Sequence, residues 1–172
     1  MYKVFIKYII VVMLVLSPGV QADDQSAGLD SVQNLRAQPD NIYSSGQPHP
    51  EVFVEFASRG GSDVINLRSL EEMKSIDEET AVTDAGMRYH HIPVASIGDL
   101  NQDNAQQLHQ LLAQADNQNT LIHCKSSNRV GALMALRAVW FQDKSTEEAL
   151  AIGKQHGLTT LETKVIEILN QP

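Results

Sequence analysis

The stretch Thr120-Leu121-Ile122-His123-Cys124-Lys125-Ser126-Ser127-Asn128-Arg129-Val130-Gly131 constrains the chain more than any other. An apolar run too short for a helix ends at His123. A polar loop carries Cys124 to Arg129, and Val130 to Phe141 is then apolar nearly all round. A strand without a polar face and a helix without a polar face both need cover from other elements. The economical solution is a parallel sheet flanked by helices, with this helix at its centre.

The remaining segments fit that frame. Pro50 suits a first helical position, Val52, Phe53, Phe56 and Ala57 recur at helical spacing, and Arg59-Gly60-Gly61 closes the element. Val64-Ile65-Asn66-Leu67 reads as a buried strand. Glu71 to Ala85 reads as a weak helix ended by Gly86, and Met87 to Val94 as another strand. Asn101 can cap a helix carrying Ala105, Leu108, Leu111, Leu112 and Ala115 on one face. Ser145 with Glu148 and Thr159 with Glu162 have the spacing of capping boxes for two last helices. Pro39-Asp40-Asn41 marks a turn between two short extended pieces. The fold class expected is α/β, three layers, with a mainly parallel central sheet and helices on both faces.

The first 22 residues differ from the rest. Lys3 and Lys7 precede the apolar run Tyr8 to Leu16, followed by Ser17-Pro18-Gly19 and Val20-Gln21-Ala22. This is the pattern of a secretory signal cut after Ala22, and it implies a periplasmic location. The run would cross only about half of a ~30 Å hydrocarbon core, so no stable membrane insertion is expected after its removal. Residues 23–31 read as a flexible lead-in and 32–172 as one domain. The chain of 172 residues carries 13 Lys+Arg against 21 Asp+Glu, a formal charge of -8. That balance argues against non-specific attraction to nucleic acid, so an anionic ligand needs a local site.

Cys124 is the only cysteine. It is therefore buried and inert, paired with another molecule, or a working thiol. Its place at the carboxyl end of a strand, before a loop and a helix start, favours work: main-chain N–H groups and the helix dipole point at whatever lies above the sulfur, and Arg129 adds a guanidinium. A thiolate below an anion cradle is what cysteine-based phosphoryl transfer requires.

These residues resemble the protein tyrosine and dual-specificity phosphatases. Ser45-Gly46-Gln47-Pro48, Val64-Ile65-Asn66-Leu67-Arg68 and His123-Cys124-Lys125-Ser126-Ser127-Asn128-Arg129-Val130-Gly131 together are similar to the bacterial phosphatase-like family annotated with the beta-lactamase-hydrolase-like proteins. The resemblance spans about Val32 to Gln142. It implies Cys124 as nucleophile, Arg129 as phosphate clamp and Asp99 as general acid, with Asp103 second. Lys125, Ser126, Ser127, Asn128, His123 and Arg68 would line or tune the site. The substrate implied is a phosphorylated small molecule or protein, with no cofactor, metal or nucleic acid.

Three departures stand out. Four residues separate Cys124 from Arg129, where the usual phosphatase loop has five. The smaller ring resembles that of the rhodaneses, so a sulfurtransferase or persulfide carrier is the alternative, with a silent anion-binding domain as a third. Ser127 stands where the family commonly has Gly, which makes a positive φ costlier. Val130 replaces the usual Ser or Thr after the Arg.

Overall fold

The computed structural model describes residues 28–171; the expected signal segment lies outside the described residues. A five-stranded sheet in the order β1-β2-β5-β3-β4 forms the middle layer. β1 (Arg36–Ala37) and β2 (Ile42–Ser45) make an antiparallel hairpin through Asn41 at φ 62°. β2, β5 (Asn119–His123), β3 (Gly61–Asn66) and β4 (Arg88–His91) are parallel. β5 is central, so its carboxyl end is walled on both sides by neighbouring strand ends.

Helix α1 (Pro50–Ser58) and helix α3 (Glu78–Asp84) share one face, packing Val52, Phe53, Phe56 and Val82 on Val64 and Leu121. On the other, Ile65 and Ile122 meet α4 (Gln102–Gln114) and α5 (Asn128–Gln142). Helices α6 (Thr146–Gln155) and α7 (Glu162–Leu169) pack on α5. The twofold alternation of a strand is visible in these partners: Val64 and Leu121 point to one core, Ile65 and Ile122 to the other. It continues past the strand end, with His123 packed near Phe53 on the α1 side and Cys124 in the core on the α5 side.

Several boundaries differ from expectation, each for a local reason. Leu29 is buried and its amide donates to Glu55, so the packed chain starts inside the segment read as a lead-in, earlier than residue 32. The helix expected over 71–85 is two: α2 (Leu70–Met73), begun by a Ser69/Glu72 capping box, and α3, whose cap is Asp77. Two good caps in one stretch start two helices. The Ser145/Glu148 box forms as expected. The Thr159/Glu162 box does not: α7 begins at Glu162 behind Leu161, because the amide of Thr159 is taken by Asn128 and the Thr160 hydroxyl by the same side chain.

The order of layers rests on two close approaches. Gly131 lets α5 touch the chain after α6; a Cβ there would lie 2.1 Å from the Leu158 amide nitrogen. Across β3 and β4, the buried Asp63 accepts from Arg88 at 2.8 and 2.6 Å and pairs with His90 at 2.8 Å. Burial alone would raise the Asp63 carboxyl, but these partners and Ser62 hold it at about 2.

Gly131→Ala is expected to cost about 3 kcal/mol or more, since backbone and not a flexible side chain is in the way; urea unfolding measures it. Asp63→Asn is expected to cost about 1–3 kcal/mol near neutral pH. The wild-type advantage is present above about pH 4 and disappears as pH falls toward 2, because the depressed folded-state value lets the unfolded chain bind its proton first. The variant's unfolding midpoint should be flatter over that interval.

Candidate active site

The loop after β5 is short because α5 starts at Asn128, leaving Lys125, Ser126 and Ser127 as its only non-helical residues beyond Cys124. Ser127 makes the turn at φ 69°, the left-handed conformation that costs a residue with a Cβ about 1–2 kcal/mol. It is held there: its hydroxyl donates to the His156 carbonyl at 2.9 Å, and Gly157 at φ 99° packs on it where a Cβ would come within 2.6 Å of the Ser127 Cβ. The Asn128 side chain ties the loop to Thr159 and Thr160 at 2.8 and 2.7 Å. Asn34 donates to the Ser126 carbonyl, and the Gln47 amide to that of Lys125.

All of those contacts use the loop's carbonyls and side chains. Its amides are little used: from Lys125 to Val130 none makes a main-chain hydrogen bond of ordinary geometry among the described residues, although Ser126 faces Gly46 in an isolated antiparallel bridge. Consecutive N–H groups without strong acceptors at the start of a fifteen-residue helix form an anion nest. Cys124 sits at its base, 1% exposed.

Arg129 lies beside the sulfur, and its guanidinium is already engaged. Nη1 and Nη2 donate to the two carboxylate oxygens of Glu72 at 2.7 and 2.8 Å, and Nη1 also reaches the Val94 carbonyl at 2.8 Å. The hydrogen bond to Glu72 raises the Arg129 value further, against its burial, and the neighbouring Cys124 sulfur adds to the rise. The same bond, against partial burial, holds Glu72 at about 2. A cavity of about 390 Å³ opens above the pair, with Ser69, Val94, Ala95, Ser96, Ile97, Leu100 and Leu161 around Glu72 and Arg129.

The expected site residues separate into groups. Cys124, Arg129 and the amides of Lys125, Ser126, Ser127 and Asn128 come together. Lys125 and Ser126 are exposed, whereas the side chains of Ser127 and Asn128 brace the loop from behind. His123 is fully buried and turned away from the cavity, its Nε2 2.8 Å from Glu78 Oε1. Arg68 reaches the site only through others, donating to Gln47 Oε1 and to the Glu72 carbonyl. Asp99 closes its own turn: its carboxylate accepts from the Ala95 and Ser96 amides and the Ser96 hydroxyl at 3.0, 2.7 and 2.9 Å, which keeps it below the usual carboxylate range. Asp103 is an exposed residue in the first turn of α4.

Sequence reasoning missed the placement of Glu72 against Arg129 and of Glu78 against His123. The Ser69-x-x-Glu72 spacing signals only a cap, and the second use of that carboxylate on Arg129 is a tertiary contact. Among the described residues no group of three or more His, Cys, Asp or Glu side chains could hold a metal, and no helix is long and apolar enough to cross a membrane.

A parallel α/β sheet whose central strand ends in a lone cysteine, an amide nest and an arginine is the architecture of the cysteine-phosphatase fold. Comparison with known proteins agrees. The chain is 32% identical over 138 residues to a beta-lactamase hydrolase-like protein of Xylella fastidiosa strain 9a5c, covering 74% of this chain and 32% of that protein. A second such protein, from strain Temecula1, is 32% identical over 122 residues, covering 69% of this chain and 28% of its own length. The chain thus spans about a third of the curated relatives it matches. Among solved structures, a candidate phosphatase of the DUF442 group from Shewanella putrefaciens superposes with a TM-score of 0.60 at 24% identity, over 82% of this chain and 89% of that one. Kinase associated phosphatase, with its catalytic-site cysteine replaced by serine, gives 0.58 at 16% identity, over 74% and 84%. No family model matches the chain. The resemblance drawn from the three motifs and the α/β fold expected from the sequence are therefore both found: the chain is phosphatase-like in fold.

Glu72 generates a pH prediction. With its folded-state value near 2 against an ordinary 4.5, its contribution is complete above about pH 4.5 and is lost as pH falls toward 2. Glu72→Gln should lower stability at pH 7 and flatten the wild-type decline below pH 4.5, read as denaturation midpoints across that range. At Ser127, glycine relieves the backbone cost but loses the bond to His156. Ser127→Ala, which only loses the bond, is expected to be less stable than Ser127→Gly by about 1 kcal/mol, measured by thermal unfolding of both.

Proposed function

We propose that the chain is an exported cysteine-dependent hydrolase of phosphoesters. The single observation that carries the reading is the run of amides from Lys125 to Val130 above Cys124 that make no main-chain hydrogen bond of ordinary geometry, with Arg129 alongside. The Cys124 sulfur attacks phosphorus opposite the leaving oxygen, forming an S–P bond as the P–O ester bond breaks. The amides and Arg129 hold the equatorial oxygens, and water then hydrolyses the phosphocysteine to inorganic phosphate and free thiol. Arg129 turns part of its donor fork from Glu72 to the substrate as it binds, and Glu72 keeps the guanidinium oriented meanwhile.

The leaving oxygen needs a proton unless it departs as a stable anion. Asp99 supplies it only when the turn from Ser96 to Asp99 opens and frees its carboxylate from three donors. The reading therefore favours aryl phosphates, whose leaving group departs without a strong acid. The N-terminal pattern of basic, apolar and small residues supports export, with the reaction in the periplasm.

A second reading has its own support. The ring closed by Lys125, Ser126, Ser127 and Asn128 is tight, Ser127 is in a left-handed conformation, and Cys124 is almost fully covered. Such a cradle suits a single sulfur on Cys124. In that reaction the thiolate attacks the sulfane sulfur of thiosulfate, an S–S bond forms, and sulfite leaves with the electron pair of the broken bond.

Both readings are tested on one preparation. The first expects phosphate release from an aryl phosphate by the protein lacking residues 1–22, abolished in Cys124→Ser and reduced less than about threefold in Asp99→Asn. Release equal to the Cys124→Ser background rejects it. The second expects thiosulfate to leave Cys124 heavier by one sulfur atom in intact-mass analysis, and an unchanged mass rejects that.

A further inference from the structure

The three motifs that carry the resemblance are joined by a continuous chain of polar side chains. His123 Nε2 lies 2.8 Å from Glu78 Oε1, and Gln47 Nε2 donates to Glu78 Oε2 at 2.6 Å. Arg68 Nη1 donates to Gln47 Oε1 at 2.6 Å. Arg68 then donates from Nη2 to the Glu72 carbonyl at 2.7 Å and lies 3.7 Å from its carboxylate, which grips Arg129 with both oxygens. The chain begins behind the sheet and ends at the anion nest.

Its polarity is informative. Gln47 donates to Glu78 and accepts from Arg68, so the orientation of that amide is fixed at both ends. The Glu78 side chain is fully enclosed, and a buried carboxyl without partners would be protonated. Here burial raises it, but His123, Gln47 and the charge of Arg68 outweigh burial and keep it ionised. A carboxylate that accepts at both oxygens cannot be replaced by an amide without setting one N–H against a donor or forcing His123 to change tautomer. Nothing in the phosphoester or sulfur reaction touches Glu78, and stability alone is a poor reason to bury a charge.

We propose that Glu78 is a positioning residue for the anion nest on the opposite side of the sheet: acting through Gln47, Arg68 and Glu72, it fixes the orientation of the Arg129 guanidinium. The proposal rests on the reading of residues 124–129 as an anion-binding loop, but its main test needs no ligand. The chain also offers a rescue. Exchanging the two residues as Gln47→Glu with Glu78→Gln moves the negative charge one step along the chain, next to Arg68. The acceptor for Arg68 is kept, the new amide donates to the new carboxylate, and its oxygen still accepts from His123.

The experiment follows the guanidinium of Arg129 in the full chain by nitrogen-15 NMR, with signals assigned through Arg129→Lys. In the wild type a two-oxygen grip slows rotation and separates the Nη signals. Glu78→Gln should merge or broaden them, and the exchanged pair should restore the separation. As a second readout, inorganic phosphate should protect Cys124, the sole thiol, from iodoacetamide. The protection constant should weaken about tenfold in Glu78→Gln and recover in the exchanged pair, a shift of about 1.4 kcal/mol. Should Glu78→Gln not fold, Gln47→Leu cuts the same chain at a half-buried position and is expected to free Arg129 equally. Unchanged Arg129 signals in a folded Glu78→Gln or Gln47→Leu variant, or no recovery in the exchanged pair, overturn the proposal. Absence of phosphate protection in the wild type overturns the anion-nest reading instead, and the Arg129 signals still decide the role of Glu78.

Discussion

The site depends on the two-oxygen grip of Glu72 on Arg129. A guanidinium that is only 18% exposed and beside a sulfur would otherwise choose among the sulfur, the Val94 carbonyl and water. Its pairing with a carboxylate 27% exposed neutralises the charge without burying it fully, so the large desolvation cost of a deep ion pair is avoided. The grip also fixes what the loop can do. The amides of Lys125 to Val130 remain as donors without a strong main-chain acceptor among the described residues, and the guanidinium is held beside them. Glu72 itself is held by the Ser69 cap of α2, so a helix of a single turn sets the position of the strongest cation in the site.

Much of this was legible in the sequence, and the illegible part has a common physical cause. The β5-loop-α5 unit was readable because its signals are local: an apolar run, a polar break, then a helix without a polar face. Ser127 stands where glycine is usual, a departure that makes a positive φ costlier, and the structure nevertheless holds it at φ 69°. The caps at Asn101 and Ser145 were readable for the same reason. Thr159 failed as a cap because Asn128, far away in sequence, takes its amide. Glu72 and Glu78 escaped notice as site residues because each sits in an ordinary first-turn position of a short helix, and only tertiary folding joins them to Arg129 and His123. Asp99 was correctly assigned to the loop after β4, but its carboxylate satisfies its own turn, a local competition that spacing alone does not reveal.

The alternation of β5 separates two sequence neighbours. His123 and Cys124 are adjacent in sequence yet belong to different cores, one with Phe53 and Glu78, the other with Ile122 and Val130. The histidine side chain therefore lies on the far side of the sheet, against Glu78 and Phe53, and not beside the sulfur. The cavity above Arg129 is bounded instead by residues of the 94–100 segment and Leu161, so it and the His123–Glu78 pair occupy separate compartments.

Ser127, which shapes the loop after β5, leans on residues that follow every recognisable motif: its hydroxyl on the His156 carbonyl, its Cβ on Gly157, and its neighbour Asn128 on Thr159 and Thr160. A fragment ending at Gln142 would retain all three signature segments and lose the buttress that gives the loop its curvature. The minimal functional unit of such a domain is thus larger than its signature, and boundaries drawn at the end of the recognisable pattern would cut away the scaffold that shapes it.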